Sequence, residues 1–234
     1  MVKNIFPLLI AIVLIIAGCS KKNQYIIDGK ITNAAGKYIY LDELKLTTNQ
    51  PVDSVKIGKN GEFSFKGTVG FPTFFLLKLS ENNFVTLLVD SVDHLNVKAD
   101  AANFSREYVV EGSEGSKLVQ ELNNRLSVTK HKLDSIRNLT VLYRSHRNYQ
   151  ELKKDWDQKI SDIKNSQVEY SSGFVQKHPF SMASVLALYQ KFDDNNYVVQ
   201  DLQSLKVAAS ALNSVFPKSE HVNALYQNTL KLMR

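Results

Sequence analysis

The side chains of this sequence that could do chemistry are scattered along it. The five histidines are His94, His131, His146, His178 and His221. None stands in an HxH or HxxxH spacing, and a metal site would have to draw its ligands from distant segments. Asp155, Asp157 and Asp162, or the adjacent Asp193 and Asp194, could supply paired carboxylates for acid–base work. On helices such residues ordinarily form a solvated face. The sequence holds no GxSxG nucleophile elbow and no phosphate-cradling glycine loop. There is one cysteine, Cys19. A single thiol excludes an intrachain disulfide, a CxxC redox pair and a cysteine-ligated metal site. The expectation is a chain that is not itself an enzyme, with no cofactor and no metal.

The position of Cys19 is more informative than its number. Lys3 precedes a continuous apolar run, IFPLLIAIVLIIAG, from Ile5 to Gly18. A membrane span needs about 20 apolar residues, so this run reads as a signal peptide over residues 1–18. Ile16, Ala17 and Gly18 followed by Cys19 resemble the bacterial lipobox. In that motif small residues let the signal peptidase reach the backbone, and the thiol receives a diacylglycerol. Cys19 is thus the expected lipidation site, and residues 19–23 the tether. Acyl chains on one residue make a durable anchor, so the membrane partner is reached through lipid. Ser20 follows the cysteine and SKKN carries no acidic run. By resemblance to lipoprotein sorting signals, the expected address is the outer membrane, facing the periplasm.

The chain has a net charge of +6, unevenly spread. Residues 24–112 hold 9 Lys and Arg against 11 Asp and Glu, whereas residues 117–164 hold 11 against 6. A nucleic-acid partner is disfavoured by the secretion signal and by the lack of any binding motif. Most of the basic segment reads as a solubilising helix exterior. Its densest point is LYRSHRN, where Arg144 and Arg147 are the candidate partner-binding residues. Three triplets, Asp53-Ser54-Val55, Asp90-Ser91-Val92 and Asp134-Ser135-Ile136, match an Asp-Ser/Thr-aliphatic pattern resembling periplasmic O-glycosylation sites. Ser54, Ser91 and Ser135 are therefore candidate modified serines.

The elements that must position these residues fall into two halves. From Gln24 to Gly112, short runs alternate apolar with polar residues: YIIDGKI, YIYLDEL, VDSVKI, EFSFKG, TFFLLKL, FVTLLVD, HLNVKA and EYVVEG. Strands at this spacing predict an antiparallel β-sandwich or open barrel over residues 24–112. VDSVKI and EFSFKG, joined through Asn60-Gly61, read as a hairpin. Phe63, Phe65, Phe74, Leu76 and Leu88 are the expected core. After Gly112 the period changes to three and four, through Leu118, Leu122, Leu126, Thr129, Leu133 and Ile136, then Leu152, Trp156, Ile160 and Ile163. This predicts a helical hairpin with its bend at Ser145–Asn148, and a short bundle completing residues 113–234. His178-Pro179 marks a boundary. SMASVLALYQKF, NYVVQDLQSLKVAASALN and SEHVNALYQNTLKLM read as three further helices, the last capped by Ser219. The fold class is α+β.

The order of these segments resembles a known domain. Lipobox, IIDGKITNAAGKYIYLDEL, PVDSVKIGKNGEFSFKG, FFLLKL and YVVEGSEGSKLVQELN are similar to the DUF4369-like domain of unknown function of Bacteroidetes-type lipoproteins. The tail from FVQKHPFSMASVLAL to VFPKSEHVNALYQNTL resembles the helical linker that follows that domain. In the family the linker usually runs into a thioredoxin-like domain with a CxxC, which no position here matches. The resemblance implies a non-catalytic binding or scaffold module. The alternative it implies is an accessory half of a thiol-disulfide oxidoreductase system, working with a separate thioredoxin-like partner.

Overall fold

The computed structural model describes residues 24–234. The expected signal peptide over 1–18, the expected tether 19–23 and Cys19 lie outside the described residues. The first half forms eight strands, most with alternating burial: β1 (Gln24–Thr32), β2 (Tyr38–Leu44), β3 (Asn49–Lys56), β4 (Glu62–Thr68), β5 (Thr73–Ser80), β6 (Asn83–Val89), β7 (His94–Asp100) and β8 (Tyr108–Glu111). They form two sheets, ordered β4-β1-β7-β8 and β3-β2-β5-β6. The inward residues of both, among them Ile27, Ile39, Leu41, Phe63, Phe65, Leu77 and Leu95, make one sandwich core. The pairings are antiparallel except one: β1 and β7 run parallel, with Ile26 beside His94.

The expected β3–β4 hairpin does not form. β3 pairs with β2, whereas β4 pairs with β1 in the opposite sheet. The Asn60-Gly61 turn does reverse the chain, with the Gly61 N–H donating to the Gly58 carbonyl at 2.9 Å. It delivers β4 straight to β1, where the Ile31 N–H donates to the Gly61 carbonyl at 2.8 Å. A turn signal is local and carries no information about which layer receives the next strand. Here Ile57, Phe63 and Phe65 all have to reach the core between the sheets, so the chain crosses over.

The period change at Gly112 gives the helices: α1 (Glu114–Leu142), α2 (Tyr149–Lys177), α3 (Ala183–Tyr189), α4 (Leu202–Val215) and α5 (Glu220–Leu232). α1 and α2 are the expected hairpin, bent over residues 143–148. Ser219 caps α5. The helix expected from Asn196 starts later. Lys191–Asp193 (β9) and Asn196–Tyr197 (β10) form a small ribbon, and Asp201 then caps α4. The Asp193 carboxylate accepts the N–H groups of Asn195 and Asn196, holding this segment in a turn that competes with helix. Among the described residues no helix is long and apolar enough to cross a membrane.

A second core joins the halves. Phe74 and Leu88, on the outer face of the second sheet, cluster with Leu122, Phe174, Met182, Leu188, Leu212 and Leu225 from the helices. The sandwich and the helical layer therefore share buried surface and stabilise each other. Within that layer Asp201 ties α4 to α2, accepting the Ser204 N–H at 2.7 Å and the Ser172 hydroxyl at 3.0 Å. Partial burial pushes its carboxyl up, but these hydrogen bonds outweigh burial and hold it below the usual carboxylate range. A depressed carboxylate stabilises above its unfolded value, near pH 4, and loses that contribution as pH falls through its folded value. Asp201→Ala is expected to cost about 1 kcal/mol at neutral pH. Urea unfolding should show the difference shrinking at acid pH; a cost that grew on acidification would contradict the assignment.

Candidate functional site

Two opposite ends of the molecule each gather residues with a role to assign. The first end is built around the start of the fold. Gln24 is paired with Thr68, and the Ile26 N–H donates to the Asp93 carbonyl at 2.9 Å. The β4–β5 loop, the β6–β7 turn and the first residue of β1 thus share one end of the sandwich. α1 starts there too. Gly112 has φ +82°, and a Cβ on it would fall 1.9 Å from the His94 carbonyl oxygen, so only glycine permits this approach.

The next residues seal a sheet edge. β6 is an edge strand of its sheet. The Ser116 hydroxyl accepts the Leu88 N–H at 3.0 Å and donates to the Leu88 carbonyl at 2.8 Å. Ser113 donates to the same carbonyl at 3.1 Å and accepts the Ser116 N–H as the cap of α1. Gly115 lets the helix lie this close, since a Cβ there would meet the Leu88 side chain at 3.0–3.1 Å. Backbone groups that would invite another strand are satisfied by two serines on a helix.

α2 and the α4–α5 loop come back to this same end. Leu88, Asp90, Asp93, Glu114, His178 and Phe216 are among the residues lining a cleft of about 480 Å³ there. A neighbouring hollow shares Pro72 with it and adds Phe71, Val215 and Lys218. Its carboxylates and histidine do not converge as a metal site; among the described residues no group of three or more His, Cys, Asp and Glu does.

The second end is the hairpin tip. α1 leaves the first end roughly along the strands: its Gln120 side chain donates to the Tyr108 carbonyl, and Tyr108 is paired with Ala99 far from His94. At 1.5 Å per residue, the 30 residues from Ser113 to Tyr143 carry the chain about 45 Å. Cross-links between α1 and α2 mark the way: Tyr170 donates to Glu121 at 2.6 Å, Arg125 reaches Ser166 at 3.1 Å, and Thr129 donates to the buried Gln167 at 2.6 Å. Beyond these, burial narrows to Leu133, Ile136 and Trp156, the stripe that each helix turns to the other. Trp156 sits edge-on to Tyr143 at 6.0 Å and to Tyr149 at 6.4 Å, and these rings hold the bend.

Arg144 and Arg147 are exposed on this bend and enter no ion pair among the described residues. Residues 137–154 carry five basic side chains against one acidic. Next to the arginines, Val141 and Leu142 are 74% and 76% exposed. The sequence reading named the arginines and missed these two. The signal was present: both fall off the three–four stripe that α1 buries.

The remaining candidates are dispersed. Ser54 is exposed on the edge strand β3, Ser91 is half-buried in the β6–β7 turn, and Ser135 is exposed on α1. The Ser135 hydroxyl donates to the His131 carbonyl one turn back, while those of Ser54 and Ser91 make no such bond. His94 lies 2.7 Å from Asp28, His146 packs on Tyr143, His178 on Phe174, and His221 bonds the Leu44 carbonyl at 2.8 Å. Asp157 pairs with Lys153, and Asp162 accepts from Gln158. Each of these four histidines and two aspartates has a structural partner. Tyr108 differs: its hydroxyl is buried without a hydrogen-bond partner among the described residues, and burial pushes it up to about 12.

Residues 25–119 match the family model of a domain of unknown function, DUF4369. The match passes Gly112 and takes in Ser113, Gly115 and Ser116, so the first turn of α1 belongs with the sandwich whose edge it seals. No curated protein matches the chain.

Proposed function

We propose, with the DUF4369 domain over residues 25–119 as premise, that the chain is a non-catalytic envelope lipoprotein acting as a scaffold. It is held to the outer membrane through Cys19, faces the periplasm, and offers the hairpin tip to a protein partner. One observation carries this reading: the start of the fold at Gln24 and the bend at Arg144 and Arg147 lie at opposite ends, about 45 Å of helix apart. A lipid on Cys19, five residues before Gln24, anchors the first end and leaves the second reaching away from the bilayer. The tip has the composition of a recognition surface, with arginines and aromatic rings beside exposed Val141 and Leu142. Its charge selects an acidic partner. The anchor is tested by labelling wild type and Cys19→Ala with a palmitate analogue in a Gram-negative host. Label confined to wild type, in the outer-membrane fraction, is the expected result. Equal labelling of both, or wild type free in the periplasm, would overturn the lipoprotein reading.

A further inference from the structure

The end of the fold that carries Gln24 is rimmed by exposed apolar side chains. Val92, at the crest of the β6–β7 turn, is 77% exposed, Phe180 is 61% exposed and Val215 is 49% exposed. Val92 and Phe180 stand on loops, in the sandwich and in the α2–α3 connection, and Val215 is the last residue of α4. Phe71 and Phe216, half-buried, line the hollows between them. Three exposed apolar side chains from three separate segments, converging on one end, call for something to cover them.

We infer that this rim rests in the headgroup region of the bilayer, so that the sandwich is seated on the membrane and not merely leashed to it. The inference rests on the lipoprotein reading of Cys19. Gln24 is five residue steps on from Cys19, and an extended chain covers at most about 3.6 Å per step, or about 18 Å. The acylated cysteine lies in the bilayer surface, so Gln24 is never more than that distance from it and the loops at the same end are held close to the bilayer. Charge does not dictate this contact. Lys177 and Lys218 are outnumbered there by Asp90, Asp93 and Glu114, so the attraction is that of apolar side chains for the interface and does not require anionic lipid. Valine and phenylalanine on short loops are suited to shallow insertion; the tether supplies high effective concentration, so weak individual contacts suffice.

The test uses the full-length lipoprotein, in which acylation leaves any introduced cysteine as the sole free thiol. Val92→Cys, Phe180→Cys and Arg147→Cys are labelled with an environment-sensitive NBD dye and reconstituted in phosphatidylethanolamine–phosphatidylglycerol vesicles. Emission at 92 and 180 should shift to shorter wavelength and brighten, while emission at 147 stays water-like. Both rim positions remaining water-like in palmitate-labelled, vesicle-bound protein would overturn the inference and leave the lipoprotein reading standing. A shift at 147 without one at 92 or 180 would reverse the orientation and overturn it as well. A shift already present in unacylated residues 20–234 without vesicles, with a dimer in sedimentation, would identify a second copy as the occupant and also overturn it. Failure of palmitate labelling would take down both readings together.

Discussion

Replacing Ser113 and Ser116 together by alanine should lower the unfolding free energy by about 3 kcal/mol. The Leu88 N–H loses its acceptor and the Leu88 carbonyl loses both donors, in a place water does not reach. A buried backbone group left without a partner costs about 1–3 kcal/mol, and loss of the Ser113 cap about 1 kcal/mol more. The two effects share Leu88, so they will not add fully. Urea unfolding of the two single variants and the double variant measures this. The double variant should also self-associate on partial unfolding, because β6 regains an open edge. A double variant within about 0.5 kcal/mol of wild type would show that the serines do not seal the strand.

Leu122→Ala should cost about 3–4 kcal/mol, the middle of the range for removing a fully buried leucine side chain. Leu122 is 0% exposed and belongs to the cluster that runs from Phe74 and Leu88 on the sheet to Leu212 and Leu225 in the helices. The consequence is more specific than lost stability. Strand and helix signals in circular dichroism should still melt together, at a lower temperature, because both halves lean on that cluster. Helices melting early over a sandwich with unchanged midpoint would mean that the halves are independent. Leu139→Ala, at a half-exposed position on the same helix, should change the midpoint little.

Much of the architecture was legible in the sequence because it is written in local period. Phe63, Phe65, Phe74, Leu76 and Leu88 are all buried, as alternation implied. The stripe from Leu122 to Ile136 is the face α1 buries, and the bend falls where SHRN interrupts it. What could not be read is non-local. The β3–β4 turn looks like a hairpin because turn chemistry is indifferent to sheet membership. Alternation cannot announce the parallel pairing of β1 with β7, since it is the same for either direction. Phe74 and Phe65 are both core residues by pattern, but only the packed layers assign one to the helices and the other to the sandwich. The strands end at Glu111 and the first helix starts at Glu114, on either side of the change of period at Gly112. Period alone does not tie Ser116, on the helix, to Leu88, on the sheet, although the Ser116 hydroxyl bonds both backbone groups of Leu88. At the candidate site, charge density picked out Arg144 and Arg147, whereas the opposition of the two ends exists only in three dimensions.

The central claim is that the hairpin tip, held away from the anchored end, binds an acidic protein partner. Photo-crosslinking in intact cells tests it most directly. A benzophenone amino acid is placed at Arg147 in the tip and, as a control, at Lys66, which is exposed on β4. The account predicts a protein adduct of one discrete size from position 147. That adduct should be absent from position 66 and abolished when Arg144→Glu is added, with Trp156 fluorescence showing that the bend is intact. Adducts to lipid from position 147, or equal protein adducts from both positions that survive Arg144→Glu, would contradict it.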